Sequence, residues 1–313
     1  MPIFSTDKET AIDQLAEVAK VNRNSPWNVF RIYIEDAKAQ FLLPYLGSSL
    51  LGKIEATAET SQAEADAKYL ALIPMVRRAL GPYAVGISTD EASISTGDSG
   101  HTVAKSDKFS PASDNKIALA KESLLSRAWV NMEILLAYLE EHSADYQEWK
   151  DTRYHKNRKT KFFASAEEFQ DHGLVDIDYS RLAFERLRML VMRVEQSEVA
   201  NLLGGNETAV VSGTEDKDKK MLALVRQFIG ARVAQLHTSK TTRVQRSKSA
   251  ELEFKAVIRP AFDDESTDWE NYYTQQADFW RGKILEALAA DYETQASGKV
   301  DWDNEGKHIF FAG

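Results

Sequence analysis

A serine between glycines, with a histidine beside it, is the first arrangement in this chain whose residue types could do chemistry: Gly97-Asp98-Ser99-Gly100-His101. Such a serine becomes a nucleophile only when a general base takes its proton and an acid orients that base, an arrangement that proteases with this loop sequence build in a two-barrel β fold. The surrounding sequence is mostly helical in pattern and the chain has no cysteine, so the predicted role of these residues is a hairpin turn. The six histidines, His101, His142, His155, His172, His237 and His308, are scattered, and no pair stands at i, i+4 with an adjacent glutamate as a metalloprotease helix requires. They are read as surface or turn residues. Asp263-Asp264-Glu265 and the pair Asp301 and Asp303 lack the spacing and loop glycine of a calcium loop. Gly204-Gly205 lacks the Lys-Ser/Thr and the preceding strand of a phosphate loop. No cofactor, metal or nucleotide is therefore expected.

Arg153, Lys156, Arg158, Lys159 and Lys161 interleave with Tyr154, Phe162 and Phe163, a mixture able to hold a nucleic-acid backbone. The same composition suits a solvated linker or a contact with acidic neighbours. A second basic run comprises Lys240, Arg243, Arg246 and Lys248. The net charge of -9 disfavours general nucleic-acid binding, which depends on cationic neutralisation of phosphates.

These residues must be positioned by a chain of 313 residues, 43% hydrophobic and 28% charged, a composition that predicts an ordinary globular protein of about two domains. The absence of cysteine removes disulfides, thiolate nucleophiles and zinc-thiolate sites. No run of 18 apolar residues is present, and the opening MPIFSTDKE lacks the pattern of a secretory leader, so a cytoplasmic origin without membrane contact is expected.

One plan recurs along the sequence. Thr6 and Glu9 stand in capping-box spacing, as do Ser165 and Glu168. Trp27, Phe30, Ile34, Ala37, Phe41 and Tyr45 keep a helical period that Leu46-Gly47 ends; Phe184, Leu187, Val191, Val194, Val199 and Leu203 keep another, ended by Gly204, 157 positions later. Lys68-Tyr-Leu-Ala-Leu-Ile73 matches Lys220-Met-Leu-Ala-Leu-Val225 at an offset of 152, and Trp149 matches Trp302 at 153. Residues 1–156 carry 17 basic and 22 acidic side chains, the remainder 22 and 26, so neither half is a charged tail. The predicted fold is mainly α: two tandem related helical-bundle domains, 1–158 and 159–313, each with a small β-hairpin. The hairpins are placed near 92–105 and 241–258, where Ser, Thr and Val alternate between turn residues. KHIFFAG, 307–313, reads as a lone strand or docking tail.

With YIEDAKAQFLLPYLG (33–47), KYLALIPMVRRAL (68–80) and PASDNKIALAKESLLSRAWVNMEILLAYLEEH (111–142), the chain resembles the head-to-tail connector proteins of tailed bacteriophages. In particular it is similar to a duplicated connector-like family of Bacteroidetes phages, crAss-like phages included. The resemblance covers most of the first half and the second only loosely, where no proline stands in the place of Pro44. It implies a non-enzymatic virion protein of the neck or tail region, assembled in the host bacterial cytoplasm. It also implies a homo-oligomeric ring, a dodecamer, below the portal protein, docking tail or further ring proteins and passing genomic DNA without sequence recognition. An acidic lumen would let DNA slide without sticking. In this reading Ile94, Val103, Val244, Phe254, Ile309, Phe310 and Phe311 are the candidate subunit contacts, since edge strands and apolar tails pair with neighbouring chains. The rival expectations are another structural virion protein, for tail completion or cargo, and a helical enzyme whose site forms only by tertiary proximity.

Overall fold

The computed structural model describes residues 3–60, 66–92, 95–97, 100–102, 114–238 and 263–297. Helix α1 (Lys8–Val18) starts where the Asp7 carboxylate accepts the Thr10 N–H at 2.9 Å and its hydroxyl at 2.7 Å. This corrects the predicted Thr6–Glu9 box: a carboxylate at the cap also complements the positive helix end, and it takes the position. Helix α2 (Trp27–Ala37) runs into a five-residue π-helical turn, π1 (Lys38–Leu42), and then α3 (Leu43–Glu59). The Leu46-Gly47 stop is a sharp break, with helix resuming directly beyond it, because Gly47 takes φ 71 and ψ 160 inside α3. Helices α4 (Ala67–Ala92) and α5 (Asp114–Glu141) pack along each other as the longest pair of this half. The short helices α6 (Gln147–Lys150) and α7 (Arg153–Asn157) fold back on α3.

The second half begins with α8 (Ala166–Gly173), where the first bond of the predicted box forms, the Glu168 N–H donating to Ser165 Oγ at 3.2 Å, while the Glu168 carboxylate accepts from the N–H of Ala164, one residue before the cap, at 2.6 Å. Helix α9 (Arg181–Val194) leads into a second π turn, π2 (Glu195–Val199), then α10 (Ala200–Leu203), which ends on Gly204 in the left-handed region, φ 57. After α11 (Glu207–Ser212), the long helices α12 (Asp216–Thr238) and α13 (Asp263–Ser297) pair closely. Asp263, Asp264 and Glu265, read from sequence as a solvated turn, fall in the first turn of α13.

Between α4 and α5, Ser95–Gly97 pairs antiparallel with Gly100–Thr102, the two glycines opposite each other. Three residues a strand, with no third strand among the described residues, is too little to bury a face, so the prediction of a small β-hairpin in each half is not supported. The second predicted hairpin, 241–258, lies outside the described residues.

The buried side chains form two clusters. The first gathers α1 to α7 around Phe41, Leu46, Leu50, Leu72, Leu80 and Leu136; the second gathers α8 to α13 around Phe163, Phe169, Val191, Val225 and Ile284. Helix α4 includes a 23-residue stretch long and apolar enough to cross a membrane, but its apolar face lies in the first core. Several contacts occur twice. Arg77 donates from Nε to the Ile3 carbonyl at 2.8 Å with its guanidinium over Phe4; Arg226 donates to the Phe162 carbonyl at 2.8 Å with its guanidinium over Phe163. A Cβ at Gly81 would meet Val18 of α1 at 2.5 Å, and one at Gly230 would meet the Gly173 carbonyl oxygen of α8 at 2.0 Å. Bare backbone is thus required where each N-terminal helix crosses. These pairs lie 149 apart, so the Leu-Ala-Leu match at 152 is out of step with the contacts by three residues, a little under one helical turn.

Candidate functional site

Where the two halves meet, α5 caps α9. One Glu133 carboxylate accepts the Ser180 hydroxyl at 2.5 Å, the Arg181 N–H at 3.1 Å and the Leu182 N–H at 2.9 Å. It thereby satisfies donors that any helix start leaves orphaned. Beside it Arg181 reaches Glu140 at 2.6 Å and Glu167 at 2.9 Å, and Arg158 approaches Glu140 at 3.5 Å. Leu182 inserts into the first core, and the Arg186 guanidinium lies 4.7 Å from the Trp129 ring centre. Tyr154 is buried at this junction; burial, then the charge of Glu140, holds its phenol well above the ordinary range.

Each π turn opens on a charged residue that bonds to chain outside the turn. Lys38 donates to Glu35 at 2.7 Å and Glu55 at 3.0 Å, at one wall of a groove of about 240 Å³ that also includes Phe4 and Trp27. Glu195, in the matching position, accepts the N–H groups of Lys161 at 3.3 Å and Phe162 at 3.1 Å. Burial raises the Glu195 carboxyl above its ordinary value. On the far side of α3, Glu148 accepts from Lys53 and from the Tyr69 hydroxyl, and the Lys53 bond holds its carboxyl below the usual range.

Beyond π1 the first half contains an aromatic plug. Phe41 stacks on Tyr83 at 4.3 Å and meets Trp129 edge-on at 4.8 Å. Beyond π2 the second half has an open cleft of about 430 Å³, walled by π2, α12 and α13. There Arg232 Nε donates at 2.9 Å to both oxygens of Glu198, and Gln235 donates to the Thr274 hydroxyl at 2.6 Å. Ala277 forms part of the wall, with Asp278 and Arg281 beside it. This arrangement can receive a polar or mixed surface.

The residues chosen from sequence fare unevenly. Of the basic set, Lys156 pairs with Asp151 at 3.5 Å, Arg158 with Glu140, and Lys161 with Glu207 at 3.2 Å; Arg153 and Lys159 are exposed. Tyr154, Phe162 and Phe163 are buried in the two cores, so they are not an aromatic platform for bases. Gly97 and Gly100 pair across the short ladder, and Asp98 and Ser99, the predicted turn, lie outside the described residues. Ile94, Val103, Val244, Phe254, Ile309, Phe310 and Phe311 also lie outside them, as do Lys240, Arg243, Arg246 and Lys248. His155 lies against Trp149, with burial lowering its ring below the ordinary value, and His142 stacks on Tyr138. Among the described residues no group of three His, Cys, Asp or Glu could hold a metal. Sequence reading missed Glu133, Arg181, Glu198 and Arg232.

Residues 42–159 match a family described as "Family of unknown function (DUF6712)", a span covering less than half of the chain, from the end of π1 to just past α7. No curated protein and no solved structure matches the chain.

Proposed function

We propose that this protein is a non-enzymatic structural subunit of a tailed-phage neck: a ring below the portal that continues the DNA channel toward the tail. Its building block is a helical unit present twice, at 1–158 and 159–313. The observation that carries the duplication is the repeated clasp, in which Arg77 and Arg226 each hold the carbonyl and ring ahead of the first helix of their half. The two π turns and the glycines at 47 and 204, each pair 157 apart, support the same reading. Exposed apolar residues on three helices fit a subunit with several neighbours: Val29 and Ile32 on α2, Val130 and Ile134 on α5, and Trp269, Tyr272 and Phe279 on α13. The net charge of -9 suits a lumen past which DNA slides.

Electron microscopy of the purified protein tests this. A closed ring with an axial channel wide enough for duplex DNA is the expected result; a basic lumen would sink the sliding argument, and a persistent monomer would sink the ring. The cleft between π2, α12 and α13 favours a second reading, a helical protein that takes up a polar small molecule there. Saturable heat of binding from a metabolite mixture, lost in Arg232→Ala, would support that reading over the ring.

A further inference from the structure

The plug in the first half and the cleft in the second are built at matching places. Phe41 is the fourth residue of π1 and Glu198 the fourth of π2; Tyr83 follows Arg77 by six residues, as Arg232 follows Arg226. Trp129 precedes buried Leu136 by seven residues on α5, as Ala277 precedes buried Ile284 on α13. A stacked aromatic trio in one half is thus a Glu–Arg pair and an alanine in the other, and the loss of the indole opens the cleft.

The plugged site is sealed from outside by α9, through Arg186 over Trp129, Leu182 in the core and Glu133 on the helix start. The counterpart of α9 is α2, which leads into π1 as α9 leads into π2. Helix α2 has the features of an element without its seat. Its N-cap is Pro26, with no side-chain hydrogen bond to the first turn, whereas α9 has both Ser180 and Glu133. Val29, in the position of Arg186, is 44% exposed. Across the open cleft, Asp278 and Arg281 make no hydrogen bond or ion pair among the described residues. Arg281 stands three residues before Ile284, where Glu133 stands three before Leu136, so the capping carboxylate of α5 has no direct equivalent on α13. The carboxylate nearest that place along the cleft wall is Asp278, three residues earlier and thus on the same side of the helix.

We infer that the cleft between π2, α12 and α13 receives helix α2 of a second copy, so that copies join head to tail by repeating the α5–α9 junction between molecules. Asp278 then faces the uncapped start of α2, in the role that Glu133 plays for α9, and Val29 enters the space that Trp129 fills in the other half. Such a contact is heterologous: it joins different surfaces on the two copies, and it closes into a ring if the rotation allows. The inference rests on the proposed self-assembly and specifies its interface.

The chain has no cysteine, which makes the test direct. Val29→Cys and Asp278→Cys proteins are purified separately, mixed, and treated with a short bis-maleimide. The expected product is a crosslinked pair from the mixture, well above that from either protein alone. Val29→Glu, on an exposed position and so harmless to folding, sets a second carboxylate beside Asp278 and is expected to weaken self-association roughly tenfold in sedimentation, with unchanged circular dichroism. If the wild type assembles while the mixture gives no crosslink and Val29→Glu assembles normally, this interface is wrong and the ring reading survives. If the wild type sediments as a monomer at every concentration, the ring reading fails and this interface with it. Crosslinking of a double variant within single copies would assign the cleft to the chain's own α2 and overturn the inference.

Discussion

Gly47 and Gly204 stand at matching breaks in the helical pattern, but their backbones differ. Gly47 holds φ 71 with ψ 160, a combination open essentially to glycine alone, and a Cβ there would sit 2.7 Å from Thr152 Cγ2. Gly204 holds φ 57 and ψ 33, ordinary left-handed geometry, with nothing within 4 Å of a Cβ. Gly47→Ala is therefore expected to cost about 2–4 kcal/mol and Gly204→Ala about 1 kcal/mol. Urea denaturation of the two variants checks the order; equal losses would show that the clash with Thr152 is relieved at no cost. Glu195 gives a pH prediction. Its folded carboxyl titrates above the ordinary 4.5 because it is buried, so the folded state holds its proton more tightly than the unfolded one. Its contribution is fully present below 4.5 and is lost as pH rises through the folded value. Glu195→Gln should flatten the fall in stability above pH 4.5. Glu195→Ala should cost about 1–3 kcal/mol at any pH by orphaning the N–H groups of Lys161 and Phe162. Parallel pH profiles for wild type and Glu195→Gln would remove Glu195 as the titrating group.

Elements explain why single carboxylates matter. Helix α9 belongs to the second core through Phe184, Leu187 and Val191, yet its start is fixed by Glu133 of α5 and its Leu182 lies in the first core. One helix thus couples the two halves. Glu133→Ala removes three hydrogen bonds at that start and is expected to destabilise the protein by about 1–2 kcal/mol, the usual scale of a lost helix cap. Its distinctive effect is on cooperativity: calorimetry should show a single transition broaden or split as the halves uncouple. A plain shift with the transition still single would mean that Leu182 and the Arg181–Glu140 pair suffice. Helix crossings are equally local in cause. At Gly230 the α8 backbone leaves no room for a methyl group, so Gly230→Ala must push α8 from α12.

For the whole molecule, two cores joined through α5 and α9 leave apolar residues on the outer faces of α2, α5 and α13. The tail Ile309, Phe310 and Phe311 is a candidate subunit contact on sequence alone, and truncation at Lys307 tests it separately from the cleft. Impaired assembly with unchanged helix content is the expected outcome. Normal assembly would withdraw the tail and leave α2 and α13 as the contact surfaces. The formal charge of -9 also predicts that assembly strengthens with added salt, as like charges on neighbouring copies are screened. Sedimentation at two ionic strengths measures this, and weaker assembly in salt would point to ion pairs as the main attraction.

Sequence alone determined the helices, because their buried faces recur every three or four residues: Phe30, Ile34, Ala37 and Phe41 pack in the first core, and Leu187, Val191, Val194 and Val199 lie in the second. It also located the breaks at Gly47 and Gly204, since few other residues tolerate positive φ. The Leu-Ala-Leu match at 152 stands three residues out of step with the Arg77 and Arg226 clasps, 149 apart, because Leu-Ala-Leu repeats look alike a turn apart. Only the tertiary structure brought Glu133 to Leu182, 49 residues away, and Glu198 to Arg232, 34 away. Such pairs leave no local period in the chain; they exist because two helices cross at one point and the side chains there are long enough to meet.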